Sequence, residues 1–317
     1  MFFKIILLIP LIFVVVQGYN AFPNCKGRCV PELDCKDFET SYTPPMCNKT
    51  HVCCPRPTVR TYTSKSAIAC LNWSNNRELC PPHKLIVDAT VANKNEFPYM
   101  ASVGWYNEAL KEMNWTCGGA LIHKKYVLTA AHCIQFQREN GTKEPDFFVR
   151  LGAHSLTDGI VYKVVDVKYP PDRDVWTKTG DISLLLLNDS VVFNEKIKPA
   201  CLSNCSVKIG DNATVSGWGA VNHEPRMSKE LNKLTLPILK ISDCPRGLPG
   251  RHICSVGLTC KGDSGGPLAR WHSEWGSCLG QVIGVVSYGD LCTAENPHSV
   301  YTDVYTYLDW IEKVVWP

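Results

Sequence analysis

The sequence has little of what a nucleic-acid-binding protein needs. Its 33 Lys and Arg residues nearly balance its 30 Asp and Glu residues, the formal net charge is only +3, and no run of five like charges occurs. Proteins that follow a phosphate backbone present a basic patch or stripe. The composition therefore argues against a nucleic-acid partner.

The sequence also lacks an apolar run long enough to span a bilayer. The longest run covers residues 5–16, which are 12 residues behind Lys4, whereas a spanning helix needs about 20. A short apolar run after a positive residue, followed by the modest side chains of residues 16–18, is typical of a secretion signal, with an anchoring helix as the alternative. We therefore expect a signal peptide at residues 1–18, an extracellular location and no membrane partner.

Cysteine, in contrast, is abundant. The chain carries 17 Cys in 317 residues, a density that is typical of disulfide-bonded proteins in oxidising compartments. Asn-x-Ser/Thr sequons, which permit glycosylation on the secretory route, also recur. They lie at Asn48, Asn72, Asn114, Asn140, Asn188, Asn204 and Asn212. We therefore do not expect the protein to be located in the reducing cytosol.

The spacing of the cysteines divides the chain into segments. Six of them lie within residues 25–54, a segment with too few large apolar side chains to form its own core. This predicts a small domain held by disulfides. A metal-binding knuckle is the alternative, but the paired C-x-x-C spacing is missing and the compartment is oxidising. Residues 55–85 are rich in Thr, Ser and Pro and predict an exposed linker that carries Cys70 and Cys80.

Beyond residue 86, short apolar runs alternate with turn residues, as in a protein built from short strands. The runs cover residues 99–105, 120–123, 126–129, 147–151, 181–187, 214–217 and 281–287. Residues 305–315 alone show helical spacing. Hydrophobicity would also allow a buried helix at 184–187, but its short length and the following polar turn favour a buried strand. An all-β body with a C-terminal helix follows.

Three short strings carry groups suited to acyl transfer: TAAHC at 129–133, GDISLL at 180–185 and GDSGGPL at 262–268. Acyl transfer by serine needs a hydroxyl, an imidazole and a buried carboxylate, which Ser264, His132 and Asp181 supply. Glycine beside the serine lets the chain turn sharply, so that the N–H groups of Gly262 and Ser264 can point at an oxyanion. Taken singly, each residue has an ordinary structural interpretation.

In this order and with these flanks, the strings resemble the chymotrypsin-type serine proteases over residues 86–317. The resemblance implies two packed six-stranded β-barrels with the active site between them. It also implies that Ser264 is the nucleophile, His132 the general base and then acid, and Asp181 its orienter, with water completing deacylation and no cofactor. The implied disulfides are Cys117–Cys133, Cys244–Cys254 and Cys260–Cys292.

The resemblance extends upstream. IVDATVA at 86–92 is similar to the N-terminus that this family exposes by proteolysis, and the pattern at 25–54, ending in adjacent cysteines, is similar to a clip domain. Together they imply an arthropod clip-domain zymogen. The implied pairs are Cys25–Cys53, Cys29–Cys47 and Cys35–Cys54, with a tether from Cys70 or Cys80 to Cys201. Three cysteines then remain: whichever of Cys70 and Cys80 does not form the tether, together with Cys205 and Cys278. Because three is an odd number, one thiol is free or joins a partner.

Activation in this family pairs a new ammonium, here at Ile86, with a buried carboxylate, here Asp263, and thereby orders the oxyanion hole and the specificity pocket. Asp88 and Ala89 replace the usual Gly-Gly. Cleavage falls after Leu85, a bond that trypsin-like activators would not favour. Leu85 and the string SAIAC at 66–70 are similar to a subgroup that acts in Toll-activating and prophenoloxidase-activating cascades. The implied partners are a downstream zymogen as protein substrate, an activating protease or the chain itself, and a serpin inhibitor.

Specificity departs from trypsin-like relatives. Their pocket-floor Asp falls at Leu258, so a buried Arg or Lys would lack a counter-charge at a cost of several kcal/mol. We therefore expect a preference for hydrophobic or small residues, unless a shifted alignment supplies another carboxylate. Ser299 alters the pocket wall, and the edge from Ser287 to Gly289 retains pairing with an extended substrate.

No metal site is expected. Ala153 stands where calcium-binding relatives place Glu, so a calcium loop is not supported. The other histidines show no metal-ligand spacing and are expected at the surface: His123, His154, His223 and His252. A catalytically weak secreted decoy or scaffold in the same cascade is the competing function, which the intact triad disfavours and Leu258 and Ala89 keep open.

Overall fold

A computed structural model describes the chain at residues 27–31, 51–55, 64–76, 79, 91–135, 145–220, 227–244, 251–257, 259–271, 279–290 and 297–317. The chain divides into a small unit, residues 1–38 and 42–57, and a large unit that holds the remainder. In the small unit, β1 (Gly27–Pro31) pairs antiparallel with β2 (His51–Pro55). The cysteine side chains of the expected clip domain lie outside the described part.

Six strands of the large unit close into a barrel in the order β3-β4-β5-β8-β7-β6. They are β3 (Met100–Asn107), β4 (Glu112–His123), β5 (Tyr126–Thr129), β6 (Phe147–Leu151), β7 (Ile160–Lys168) and β8 (Ser183–Leu187). Val103, Leu121, Val149 and Leu185 are buried inside it. β8 is the strand that the apolar residues 184–187 predicted, and it pairs with β5 and β7.

The second half is another antiparallel sheet, in the order β11-β10-β13-β14-β15-β12, with β9 pairing parallel to β14. The strands are β9 (Cys201–Leu202), β10 (Asn212–Gly217), β11 (Asn232–Pro237), β12 (His252–Val256), β13 (Pro267–Arg270), β14 (Gln281–Gly289) and β15 (His298–Asp303). A bridge from Ile238 to Ser255 brings the two ends of the sheet together. The expected pair of six-stranded barrels is confirmed.

A shared core joins the two barrels. Met100 and Ile182 from the first barrel are buried in one cluster with Trp218 and Val285 from the second and with Ile311. Ile311 belongs to α2 (Leu308–Val315), which continues a 3₁₀ turn at Tyr305–Tyr307 and confirms the predicted C-terminal helix. Because this burial removes a large apolar area from water, it holds the facing ends of both barrels together.

The expectation of an exposed linker at 55–85 is wrong for its middle part. Residues Lys65–Ser74 form helix α1, whose N-terminus is capped by the Ser64 hydroxyl. Ser66 and Cys70 are buried because they lie one helical turn apart on the face that packs against Cys201 and Leu279. The average Thr/Ser/Pro content of the segment hid this short run of helix-forming residues.

Several contacts fix α1 on the large unit. The Ser66 hydroxyl donates to Glu312 at 2.5 Å, and the Ser66 N–H donates to the same oxygen at 3.1 Å. Cys70 forms a disulfide with Cys201, and the Trp73 ring lies edge-on to Phe193. The tether to Cys201 therefore starts at Cys70, while Cys80 lies outside the described residues.

Two further disulfides are present, Cys117–Cys133 and Cys244–Cys254. Cys260 is also disulfide-bonded, while Cys292 and Cys278 lie outside the described residues. Cys205 forms no disulfide within the described part of the chain. No helix of that part is long and apolar enough to cross a membrane.

Surface predictions are partly corrected. His252 is buried in β12 with its ring against Tyr288, because β12 is covered on that side, so its expected place at the surface is wrong. His123 and His154 are half-buried, and His223 is outside the described residues. Of the sequons, Asn72, Asn114, Asn188 and Asn212 are exposed and Asn204 is half-buried, while Asn48 and Asn140 are outside the described residues.

Candidate active site

The imidazole of His132 and the carboxylate of Asp181 meet because their strands pair. Thr129 of β5 lies opposite Ser183 of β8, so the 3₁₀ turn that follows β5 comes beside the residues that precede β8. His132 Nδ1 lies 2.8 Å from one oxygen of Asp181, and the His132 N–H donates to the other oxygen at 2.9 Å. The two bonds fix both the position and the ring orientation of His132.

The Asp181 carboxylate is enclosed by both barrels. Its side chain is 5% exposed, and the hydroxyl of Ser287 in β14 donates to it at 2.5 Å. Burial alone would raise the pKa of Asp181, but hydrogen bonds and the charge from His132, together with the Ser287 hydroxyl, outweigh it and hold the pKa below its ordinary value. The carboxylate therefore stays ionised where it can stabilise an imidazolium.

The turn that carries Ser264 is held by both halves of the molecule. Gly118 N–H in β4 donates to the Ser264 carbonyl at 2.8 Å, and Gly265 N–H donates to the Val286 carbonyl at 2.8 Å. Ser264 and His132 line the same cleft, whose volume is about 280 Å³. The structure thus brings together the three residues that the sequence singled out from three distant strings.

Gly262 lies in this cleft beside Ser264. Its φ of +106° is in the left-handed region, which L side chains rarely adopt. A Cβ at this position would also lie 3.0 Å from the Gly219 Cα. The requirement for glycine here therefore comes from backbone geometry, as expected for a residue whose N–H faces a ligand.

The carboxylate of Asp263 lies in a cradle of backbone groups. Gly219 N–H donates to one oxygen at 2.8 Å, and Cys260 N–H donates to the other at 2.9 Å. A Cβ on Gly217 or Gly219 would come within 2.2 Å of a carboxylate oxygen, so the close approach requires glycine. This pair of glycines was not predicted as part of the site, although the string SGWG at 216–219 was the available signal.

Asp263 has no cationic partner among the described residues. Burial raises its pKa to about 6, against the pull of the two N–H donors. A carboxylate buried in this way is stabilised by any positive charge that can reach it. Leu85 and Ile86, the two residues of the expected cleavage site, lie outside the described residues.

Ser299, predicted at the pocket wall, is 1% exposed and ties one loop together. Its hydroxyl accepts from the Thr259 N–H at 3.0 Å and from the Thr259 hydroxyl at 2.8 Å, and it donates to the Gly257 carbonyl at 2.7 Å. These contacts hold Gly257 and Thr259, the neighbours of Leu258, in place. Leu258 itself lies outside the described residues. Thr259 was not singled out in the sequence. Gly289 pairs with Ser299 at the ends of β14 and β15.

The sequence model of the trypsin family matches residues 86–311, which is most of the chain. The chain belongs to the trypsin family. It is therefore a serine protease of the chymotrypsin type, a hydrolase, and the fold and the cleft described above agree with this membership. Ser264, His132 and Asp181 all fall inside the matched range.

Among its relatives, serine protease snk of Drosophila melanogaster is 34% identical over 262 residues, which cover 76% of this chain and 59% of that protein. The chain thus spans about three fifths of the length of snk. Serine protease 7 of Drosophila melanogaster is 29% identical, and the match covers 96% of this chain and 94% of that protein. The clotting factor G beta subunit of Tachypleus tridentatus is 29% identical over 252 residues, which cover 72% of this chain and 79% of that protein.

Proposed function

We propose that this protein is the secreted zymogen of a serine endopeptidase in which Ser264, His132 and Asp181 perform the chemistry. The observation that carries the proposal is the paired geometry of His132 and Asp181 in a cleft that Ser264 also lines. Cleavage after Leu85 activates it. In this proposal, residues 1–18 are a signal peptide, residues 25–54 a clip domain, residues 55–85 a linker and activation segment, and residues 86–317 the protease domain.

The chemistry follows from the positions of the side chains. The Ser264 hydroxyl attacks the carbonyl carbon of the scissile bond while His132 Nε2 takes its proton. Asp181 holds the Nδ1 proton of the same ring and stabilises the imidazolium that forms. The N–H groups of Gly262 and Ser264 donate hydrogen bonds to the developing oxyanion, and the imidazolium then protonates the leaving amine. Water repeats the sequence on the acyl-enzyme and releases the new carboxylic acid, so no cofactor is needed.

Activation follows from the state of Asp263. In the intact chain its carboxylate is buried with two N–H donors and no cation among the described residues. An ammonium at Ile86 would supply the missing positive charge and thereby stabilise the turn that also holds Gly262 and Ser264. Because the pair is buried, its formation favours one arrangement of this turn over others.

The biological role is proposed on the resemblance and on the relatives. The cysteine pattern at 25–54 and Leu85 at the activation bond support a place in an extracellular innate-immune cascade of the Toll or prophenoloxidase type. Serine protease 7, whose match covers nearly the whole chain, and a clotting factor subunit among the relatives support a cascade protease. The partners would then be a downstream zymogen as substrate, an activating protease or a second copy of the chain, and a serpin inhibitor.

The substrate preference is proposed from the pocket region. Buried Ser299 and half-buried Thr259 hydrogen-bond to each other beside residue 258, where the sequence has Leu instead of an acid. A cationic side chain that entered would lose water without gaining a counter-charge from Leu258. We infer that bonds after hydrophobic or small residues are cleaved, and Leu85 is one such residue.

An active-site phosphonate tests the enzymatic function. The chain is expressed with Leu85→Arg, immobilised trypsin exposes Ile86, and N-terminal sequencing verifies the cut. We expect covalent labelling after cleavage and little before it, and a loss of turnover of about 10⁶-fold in Ser264→Ala. Ser242→Ala, in an exposed turn, is the matched control and should label fully. Protein that begins at Ile86 but takes no label would reject the proposal and favour a decoy.

A further inference from the structure

The active-site cleft extends from Ser264 along His132, Cys133 and Gln135. Its lining includes His132, and the disulfide Cys117–Cys133 forms part of its wall. Because the imidazolium must protonate the leaving amine, the residues that follow the scissile bond lie on the side of His132. The substrate edge at Ser287 and Gly289 does not line this cleft, so it remains available for the residues before the bond. The cleft therefore receives the leaving half of the substrate.

Part of the wall of this cleft is aromatic. Trp105 of β3 and Phe147 of β6 both line it, and they lie directly opposite each other in the paired strands. Neighbouring aromatic side chains at the rim offer apolar area to a substrate side chain at little entropic cost. This wall suits an apolar residue close behind the scissile bond.

The same cleft carries a positive charge. Lys261 lines the cleft beside Gly262, is exposed and makes no ion pair with the described residues. Its carbonyl accepts from the Ala220 N–H at 3.0 Å, which fixes the backbone from which the side chain extends. None of the described residues that line the cleft is an acid. The field in the cleft thus favours a carboxylate on the leaving half of the substrate.

The sequence after the chain's own activation bond has this composition. Residues 86–88 are Ile-Val-Asp, two apolar residues and then an acid. An extended chain advances about 3.3 Å per residue, so the third residue lies about 10 Å beyond the bond. An extended Lys side chain reaches about 6 Å from its Cα and an Asp side chain about 2.5 Å, so the two together cover about this distance. The occupant that best matches the walls of the cleft is the activation segment of another molecule of this protein.

We propose that Lys261 selects substrates with an acidic residue at the second or third position after the scissile bond, behind an apolar residue, and thereby favours the Leu85–Ile86 bond of a second copy of this chain. The inference rests on the proposed function of Ser264 and His132. It adds a specificity determinant on the leaving side, independent of the pocket at Ser299.

A matched pair of substrates tests it. The substrates are the full chain with Ser264→Ala, which cannot cleave itself, and the same chain with Asp88→Asn. The activated enzyme should cleave the Asp88 chain about two- to fivefold faster, the size expected for one solvent-exposed ion pair. Gel densitometry gives the rates, and N-terminal sequencing shows that the product begins at Ile86. The ratio should fall towards one in about 0.5 M salt, because screening weakens exposed pairs.

Variants of the enzyme separate a charge effect from a structural one. Lys261→Gln should remove the preference, Lys261→Glu should reverse it and Lys261→Arg should retain it. Lys124→Gln, in which the lost charge lies over Phe193 away from the cleft, is the matched control. Equal cleavage of both substrates by the active wild-type enzyme, or an unchanged preference in Lys261→Glu, would overturn the inference. If the phosphonate does not label the enzyme, the proposed function fails instead.

Discussion

Cleavage after Leu85 should change how the stability of the protein depends on pH, and Asp263 is the reason. Burial raises its pKa from an ordinary value of 3.8 to about 6 in the intact chain. Below about pH 3.8 the group is protonated in the folded and unfolded states alike. Between pH 3.8 and about pH 6 the folded state binds more protons than the unfolded state, so the unfolding free energy falls as the pH rises. Because the window covers about two pH units, the loss at neutral pH is about 3 kcal/mol.

In the cleaved chain, the ammonium of Ile86 is expected to pair with the carboxylate and offset this loss. The measurement uses Ser264→Ala protein, intact and cleaved, and follows thermal unfolding from about pH 4 to about pH 8. In a domain of this size 1 kcal/mol corresponds to about 2–4 °C. The cleaved form should therefore unfold up to about 6–12 °C above the intact form at neutral pH, with the difference shrinking towards pH 4.

The other side chains that titrate are common to both forms, so the comparison reports on Asp263 and on the two termini that cleavage creates, one of which is the Ile86 ammonium expected to pair with it. The control is Asp263→Asn in the same background, for which the intact and cleaved curves should run parallel. When Asp263→Asn is made with the native Ser264 and cleaved after Leu85, the protein should also stay inactive. Parallel curves for the two forms that retain Asp263 would refute the assignment of Asp263 as the partner of the new N-terminus.

Three further predictions concern other contacts. Ser287→Ala removes a hydrogen bond to the ionised Asp181, which should raise the pKa of Asp181. The acid limb of the pH–rate profile should then move to higher pH, and kcat/KM should fall about 10- to 100-fold. An unchanged profile would contradict this. The double replacement Cys70→Ser and Cys201→Ser should release the N-terminal fragment from the cleaved chain on a non-reducing denaturing gel, and retention would indicate a second covalent link. Ser299→Gly should widen the set of residues accepted before the scissile bond in a positional-scanning peptide library, and an identical profile would rule out a role in the pocket.

The strands that sequence patterns predicted are those with continuous apolar runs, such as β5, β6 and β8. The prediction missed β7 because Lys163, Asp166 and Lys168 break its apolar pattern on the exposed side. It missed β12 because buried His252 and Ser255 stand among its apolar residues. A pattern that depends on hydrophobicity cannot find a strand whose buried positions are polar or whose outer face is charged.

For the site, short strings were enough to single out Ser264, His132 and Asp181, because each lies in a local sequence whose flanking residues are themselves constrained by geometry. The cradle around Asp263 was not found, since Gly217 and Gly219 lie more than 40 residues away and meet the carboxylate only after the strands pair. The role of Ser287 as a donor to Asp181, 106 residues distant, has the same origin.

By itself, the sequence determined the family and singled out the residues proposed for the chemistry, because these depend on residue types and local spacing. The tertiary structure decided that α1 is docked by Ser66 and Glu312, that Cys70 is the partner of Cys201, and that Lys261 lines the same cleft as Trp105 and Phe147. These features depend on contacts between residues far apart in the chain. Such contacts form only when burial of the shared core brings the two barrels and the helices together.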